Sequence, residues 1–158
     1  MASRTSRLFL VFVAVIAFSG CSAAVGSDET SSATGGAIGL AVSETCAEGS
    51  DTQCVSVNGT NIVLPTAFES AGVADATVAD GDGQIAVSVT FTEEGAEVLH
   101  SLTEKAVQAG DSSRLVIQIG GEIQTAVRVM QAMEDNHVQM VLSPEHKAQD
   151  VVDLIRAG

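Results

Sequence analysis

The sequence predicts an α+β fold in which two helices pack on one face of a mainly antiparallel sheet. From residue 85 onward, apolar residues recur first at the period typical of strands and then at the period typical of helices. The resulting order is strand, helix, hairpin, strand, helix. The hairpin carries a Gly-Gly pair, which favours a tight turn between antiparallel strands. No run of alternating strands and helices indicates a parallel sheet, so the α+β class is favoured.

Short strands are also predicted ahead of this region. The segments "AIGLAVSE" (37–44) and "CVSVNGTNIVL" (54–64) are rich in residues that favour strands, and "NGTN" (58–61) is predicted to be the turn within the second. Segment 66–84 has a weaker pattern, which predicts only a short turn or strand around Val73 to Val78, followed by an acidic, glycine-rich turn.

The run "DGDG" (80–83) resembles the start of a calcium-binding loop, in which alternate side-chain oxygens face one ion. Gln84 occupies the third ligand position, and no Glu follows at the position that would close the loop. A plain turn is therefore preferred, and no metal site and no cofactor are predicted.

The strongest pattern lies in "IAVSVTF" (85–91), where every second residue is apolar and one face of a strand is expected to be buried. Thr92 follows as a natural N-cap for a helix, because its hydroxyl can accept a hydrogen bond from an amide of the first turn. Gly110 is predicted to end this helix. Its buried residues are expected to be Ala96, Leu99, Leu102 and Ala106.

The hairpin is predicted in "RLVIQIGGEIQTAVRV" (114–129), with Gly120-Gly121 as its turn, and "HVQMVL" (137–142) supplies another strand. Ser143-Pro144 is expected to begin the second helix, since proline costs nothing at the first helical position. That helix presents four apolar residues inward: Ala148, Val151, Val152 and Ile155. The whole layout is ferredoxin-like, with extra N-terminal strands.

The N-terminus has the pattern of a signal peptide. Arg4 and Arg7 precede an apolar run, Leu8 to Phe18, which is shorter than the ~20 residues that a transmembrane helix needs. Ser19 and Gly20 then precede Cys21. This stretch resembles the lipobox of bacterial lipoproteins, in which the cysteine receives a diacylglyceryl group and becomes the first residue, although Phe18 stands where that family usually has Leu. Cleavage by the ordinary signal peptidase and an uncleaved anchor are the alternatives.

Three segments follow from this interpretation: a signal peptide (1–20), a lipid-anchored flexible tether (21–36) and a folded domain (37–158) on the extracytoplasmic side of the cell membrane. Loss of the two signal-peptide arginines takes the net charge from −13 to −15. Such an acidic surface repels phosphate backbones and anionic headgroups, so nucleic acid is excluded as a partner and membrane contact must come through the lipid.

Cys46 and Cys54 remain once Cys21 carries lipid. They flank the polar, turn-rich loop "AEGSDTQ", and outside the cytoplasm two remaining thiols tend to pair. A disulfide is therefore predicted. The alternative, a metal site, lacks further ligands nearby.

No catalytic constellation is found, so the chain is predicted not to be an enzyme. His100, His137 and His146 are interpreted as surface or half-buried residues, and no nucleophile-elbow pattern surrounds any serine. Three methionines are candidates for an adaptable groove that takes apolar peptide segments, with core filling as the alternative. These methionines are Met130, Met133 and Met140.

Residues 73–158 resemble the first extracytoplasmic domain of SecD, the auxiliary subunit of the bacterial protein-export translocon. The segments that carry the resemblance are "GQIAVSVTFTEEGAEVLHSLTEKAVQ", "RLVIQIGGEIQTA" and "SPEHKAQDVVDLIRAG". The matching residues are Gly83, Gln84, Val87, Ser88, Glu94, Gly95, Ala96, Leu102, Thr103, Gly121, Ala126, Leu154, Arg156, Ala157 and Gly158. Two departures are Val127, where the family has proline after the hairpin turn, and Asp135-Asn136, where it has Gly-Gly.

The resemblance implies a SecD-like head domain that contacts unfolded preproteins or translocon components. The family continues into membrane helices after Arg-Ala-Gly, whereas this sequence ends at Gly158, so a lipid anchor is expected to replace those helices. The alternative is a lipoprotein that binds a small ligand or an envelope component and shares only the fold. An exposed strand beside an apolar groove favours the first function, and a large polar pocket favours the second.

The lipid anchor is tested by replacing its acceptor. A Cys21→Ala protein is expected to lose diacylglyceryl labelling and to fail in normal maturation, because the alanine has no thiol to acylate. Metabolic labelling with a fatty acid followed by mass spectrometry measures this. Labelling that persists in the variant contradicts the lipobox interpretation.

Overall fold

The computed structural model describes residues 36–50, 52–81, 84–142 and 147–158. In chain order these residues form β1 (Ala37–Glu44), β2 (Cys54–Val57), β3 (Thr60–Val63), β4 (Glu69–Gly81), β5 (Gln84–Phe91), α1 (Glu93–Ala109), β6 (Ser113–Ile119), β7 (Glu122–Val127), β8 (His137–Val141) and α2 (Ala148–Ala157). The predictions for the following positions lie outside the described residues: segment 1–20, Cys21, the tether up to residue 35, residues 82 and 83, the side chain of Ile85, Ser143-Pro144 and His146.

Six of these strands form one antiparallel sheet in the order β7-β6-β1-β4-β5-β8, and β2 pairs with β3 in a separate hairpin. The N-terminal strands do not extend the sheet at an edge. Instead β1 and β4 pair with each other at its centre, between β5 and β6. The predicted α+β class with two helices and a mainly antiparallel sheet is confirmed.

The main core lies on the face of the sheet that both helices cover. Residues paired across the strands, such as Ile38 with Ala71 and Val73 with Phe91, are buried together on this face. The helices contribute Leu99 and Leu102 from α1. From α2 the contribution is the predicted set Ala148, Val151, Val152 and Ile155. Ala96, which was expected to be buried, is only half-buried.

Strand β4 is the largest difference from the sequence prediction, because it runs over 13 residues instead of a short stretch around Val73 to Val78. Its buried residues are Ala71, Val73 and Ala76, so the spacing changes from two to three. The register shifts between Val73 and Asp75, which marks a β-bulge at Ala74. The extra residue breaks the alternation of buried and exposed residues. For this reason the sequence pattern did not predict a strand of this length.

The start of α1 is fixed by a close contact with β4. Thr92 caps the helix as predicted, since its hydroxyl accepts a hydrogen bond from the Gly95 amide at 3.0 Å. The Thr92 amide in turn donates to the Gly72 carbonyl at 2.9 Å. A Cβ atom on Gly95 would collide with that same carbonyl oxygen, so the helix backbone can approach β4 here only because residue 95 is glycine.

The opposite face of the sheet is covered by the β2–β3 hairpin. A smaller buried group that contains Ile62, Ala41 and Val116 lies apart from the main core. Asn58, in the predicted turn, has a φ of 47° and donates through Nδ2 to the Gln124 carbonyl at 2.8 Å. The disulfide predicted between Cys46 and Cys54 is present and ties the end of β1 to the start of β2.

The C-terminal elements agree with the prediction except at the start of α2. Gly120 and Gly121 both have positive φ, as the tight turn between β6 and β7 requires. The described helix begins at Ala148, because Lys147 is extended with a φ of −90° and a ψ of 127°. The prediction that a helix runs continuously from Ser143-Pro144 is therefore wrong, since extended backbone at Lys147 interrupts it.

The contact between α1 and β4 predicts an unusual response to Gly95→Ala. Alanine in a helix normally stabilises relative to glycine by about 1 kcal/mol. Here the collision with the Gly72 carbonyl should instead lower the free energy of unfolding by about 2 kcal/mol or more, as overpacking does. Chemical denaturation measures the change.

Glu97→Ala is the matched control, because Glu97 is exposed in the same helix. Its effect should stay within about 0.5 kcal/mol. A Gly95→Ala protein as stable as the parent would show that α1 does not need this contact.

Candidate functional site

Both edge strands of the sheet line one apolar cavity of about 290 Å³. Thr125 and Val127 of β7 stand on one side, and Val138 to Val141 of β8 stand on the other. Core residues of β1 and β6 contribute to the same lining, as does Leu99 of α1. The sheet is therefore curled so that its two edges share a cavity on the face that carries the helices.

Among the described strands, none pairs with the outer edge of β8. Only β5 pairs with β8 within the described sheet, and the ladder begins where the Phe91 amide donates to the Asn136 carbonyl at 2.8 Å. Backbone groups alternate in direction along an antiparallel strand. Asn136, Val138 and Met140 therefore face β5, and the backbone N–H and C=O groups of His137 and Val141 point away from it.

Four exposed apolar side chains lie on the strands and on the connection beside this cavity. Their exposed fractions are 40% for Val127, 75% for Met130, 38% for Met133 and 51% for Val141. Of the three methionines predicted to form a groove, Met133 and Met140 line the cavity, and Met140 is buried. Met130 is exposed and does not belong to the cavity lining. The cavity thus has two of the three methionines in its lining, and their role in a binding groove stays a prediction.

The connection between β7 and β8 is fastened to α1 at Met133. The Met133 amide donates to the Thr103 hydroxyl at 3.0 Å, and the Met133 carbonyl lies 2.9 Å from Nδ1 of His100. Thr103 is fully buried, and its hydroxyl donates to the Leu99 carbonyl at 2.8 Å. Both backbone groups of Met133 are therefore held, which places its side chain at the cavity.

An acidic, polar depression of about 690 Å³ adjoins the start of β8. Its lining includes Glu134, Asp135 and His137. A second depression of about 650 Å³ joins Glu134 to Glu93 and Glu97 at the beginning of α1. Carboxylates thus gather at one end of the open edge, the end at which β8 starts.

One side-chain pair near this edge was not found from the sequence. The Ser88 hydroxyl lies 2.6 Å from Nε2 of His137, on the paired strands β5 and β8. No sequence pattern indicates this pair, because the pairing of two distant segments brings the residues together. Among the described residues, no carboxylate forms an ion pair with His137.

His100 also has a structural contact, since it holds the connection at Met133. Within the described ranges, no group of three or more His, Cys, Asp or Glu residues is placed to hold a metal ion. The helices in the same part of the chain are too short or too polar to span a bilayer.

These features define an α+β domain with an open sheet edge beside an apolar cavity. Two solved structures share this fold. One is described as "Structure and function of a membrane component SecDF that enhances protein export", with a TM-score of 0.53, 23% identity and coverage of 79% of this chain and 64% of that chain. The other, "Crystal structure of SecDF in Super-membrane-facing form", has a TM-score of 0.51 and 19% identity over 76% of this chain and 18% of that chain.

The likeness to SecDF supports the SecD-like fold predicted from the sequence, and it concerns the fold alone. The chain spans less than two thirds of the length of either SecDF chain. No family model matches the sequence, and no curated protein matches it. The lipid anchor and the segment boundaries remain predictions.

The attachment of the β7–β8 connection to α1 is tested by Thr103→Val, which keeps the shape of the side chain and removes its hydroxyl. The Met133 amide then loses its partner, and the free energy of unfolding should fall by about 1–2 kcal/mol. Hydrogen exchange at the Met133 amide should become faster. Thr103→Ser is the control, since it retains the hydroxyl and should keep that amide protected. Equal protection in the valine variant would contradict the assigned contact.

Proposed function

We propose that this protein is a non-enzymatic binding module of the cell envelope that captures extended polypeptide segments during protein export. A lipid on Cys21 would hold it to the membrane on the extracytoplasmic side. The observation that carries the proposal is the open edge of β8 beside the apolar cavity. The SecDF likeness supports the export context, since one of those structures is described as enhancing protein export.

The mechanism is the addition of a strand to the sheet. Backbone hydrogen bonds to an exposed edge depend little on sequence, which suits a protein that must accept many different chains. The groups of His137 and Val141 that point away from β5 are the partners for such a strand. The cavity between β7 and β8 takes an apolar side chain of the segment, and its burial adds affinity.

A second function, binding of a small ligand or an envelope component, is favoured by a different observation. The polar depression that contains Glu134 and His137 has about 690 Å³, which is within the usual range of ligand pockets. Such pockets are mostly apolar and enclosed, however, whereas most residues that line this one are polar, and all come from the connection before β8 and from β8 itself. The edge and its apolar cavity therefore support capture of a chain better.

Capture at the edge is tested by Val141→Pro. Proline removes the N–H that points away from β5 and leaves the pairing with β5 intact, and edge strands tolerate proline in that position. Affinity for a reduced, carbamidomethylated polypeptide should fall about tenfold, the equivalent of one or two lost hydrogen bonds. Fluorescence anisotropy with the labelled polypeptide and full-length protein in mild detergent measures it.

Val141→Ile is the matched control, because it keeps both the N–H and an apolar, β-branched side chain at the cavity. It should bind as the parent does, and thermal melting should show that both variants remain folded. Unchanged affinity in a folded proline variant would place the binding elsewhere. Tight binding of one small molecule, with no binding of unfolded chains, would favour the second function.

A further inference from the structure

The acidic end of the open edge selects the chemistry and the direction of the bound segment. We infer that the β8 edge takes an extended peptide antiparallel to β8, in which alternating apolar residues are followed, toward the C-terminus, by Lys or Arg. This inference rests on the proposed function and specifies its substrate class.

The carboxylates lie at the start of β8. Glu134 and Asp135 stand one residue before the strand, ahead of Asn136, and line the larger depression. Glu93 and Glu97 of α1 line the smaller one with Glu134. Glu134 and Asp135 make no ion pair with any residue that the structure describes. Their negative charge is therefore available to a partner.

Four of the five basic side chains in the described part of the chain have contacts of their own, and the fifth, Lys147, is exposed and follows the far end of β8. Arg128, at the other end of the connection, pairs with Asp111, and Lys105 pairs with Glu69 at 3.4 Å. Arg156 of α2 donates to the Ala76 carbonyl at 2.8 Å. The potential at the start of β8 is thus set by carboxylates, and a cation in the ligand complements it.

The geometry of strand pairing determines which end of the bound peptide lies beside these carboxylates. Antiparallel pairing is slightly more stable per residue than parallel pairing. In an antiparallel arrangement, the C-terminal end of the peptide lies beside the start of β8, where Glu134 and Asp135 are. A basic residue that follows the apolar stretch therefore meets the carboxylates, whereas one that precedes it lies beyond the Val141 end.

Other occupants of the edge suit the charge less well. A second copy of this chain carries the same net charge of −13, so pairing of two copies brings like charges together. A segment rich in Asp or Glu meets repulsion at Glu134 and Asp135. An apolar segment with a cationic end faces neither penalty.

The experiment compares two peptides of identical composition, acetylated and amidated so that their ends are uncharged. Both alternate Val and Thr, and a Lys pair stands at the C-terminal end of one and at the N-terminal end of the other. The full-length protein in mild detergent should bind the first about three- to tenfold more tightly, the range expected of exposed ion pairs. Added salt should reduce the difference.

Two matched double variants assign the effect to its residues. Glu134→Gln with Asp135→Asn should remove the difference between the peptides. Glu48→Gln with Asp150→Asn changes the net charge equally at exposed sites that line neither depression, and should preserve the difference. A third peptide with a Glu pair at the C-terminal end should bind more weakly than either lysine peptide.

The outcomes separate this inference from the proposed function. Equal binding of both lysine peptides overturns the charge selection and leaves capture at the edge standing. Preference for the N-terminal lysine pair overturns the antiparallel direction. A dimer that Val141→Pro dissociates identifies a second copy as the occupant and overturns the inference. Failure of every peptide to bind overturns the proposed function itself.

Discussion

The approach of α1 to β4 at Gly72 and Gly95 is the contact on which the candidate site depends. It fixes the first turn of α1 directly against the central strand of the sheet, with Thr92 bonded to both glycines. The next turns then place Leu99 at the cavity and Thr103 where its hydroxyl holds the Met133 amide. A contact in the middle of the sheet thereby positions the connection that borders its open edge.

The two edges of the sheet differ, and this difference is why binding is proposed at only one of them. The β2–β3 hairpin, tied by the disulfide, reaches β7 through the bond from Asn58 to the Gln124 carbonyl. Gln124 has no partner in the register of β6, so the hairpin contacts the one irregular position of that ladder in the described chain. Strand β8 has no comparable cover among the described elements. Within the described part of the chain, the cavity that both edges line therefore has no further strand on the β8 side.

Sequence patterns predicted the elements whose burial follows a regular period. The strand before Thr92, the cap itself, the Gly120-Gly121 hairpin and the inward residues of α2 all agree with the structure. Strand β4 did not follow such a period, because the bulge at Ala74 shifts its buried face and alanine supplies much of it. The candidate site was only partly foreseen, since two of the three methionines line a cavity that depends on how the sheet curls.

The candidate site depends on the order of the strands in the sheet, which the spacing of apolar residues along the chain does not predict. The sequence indicates that residues 137–142 form a strand, but only its pairing with β5 makes it an edge and brings Ser88 beside His137. The same pairing decides which backbone groups of β8 point outward, because the bond between Phe91 and Asn136 sets the phase of the ladder. A likeness of fold at 23% identity does not show that β8 is an edge strand in this chain, nor which of its backbone groups point outward. The proposed binding at β8 therefore depends on which backbone groups of this one strand point outward and on the carboxylates that precede it.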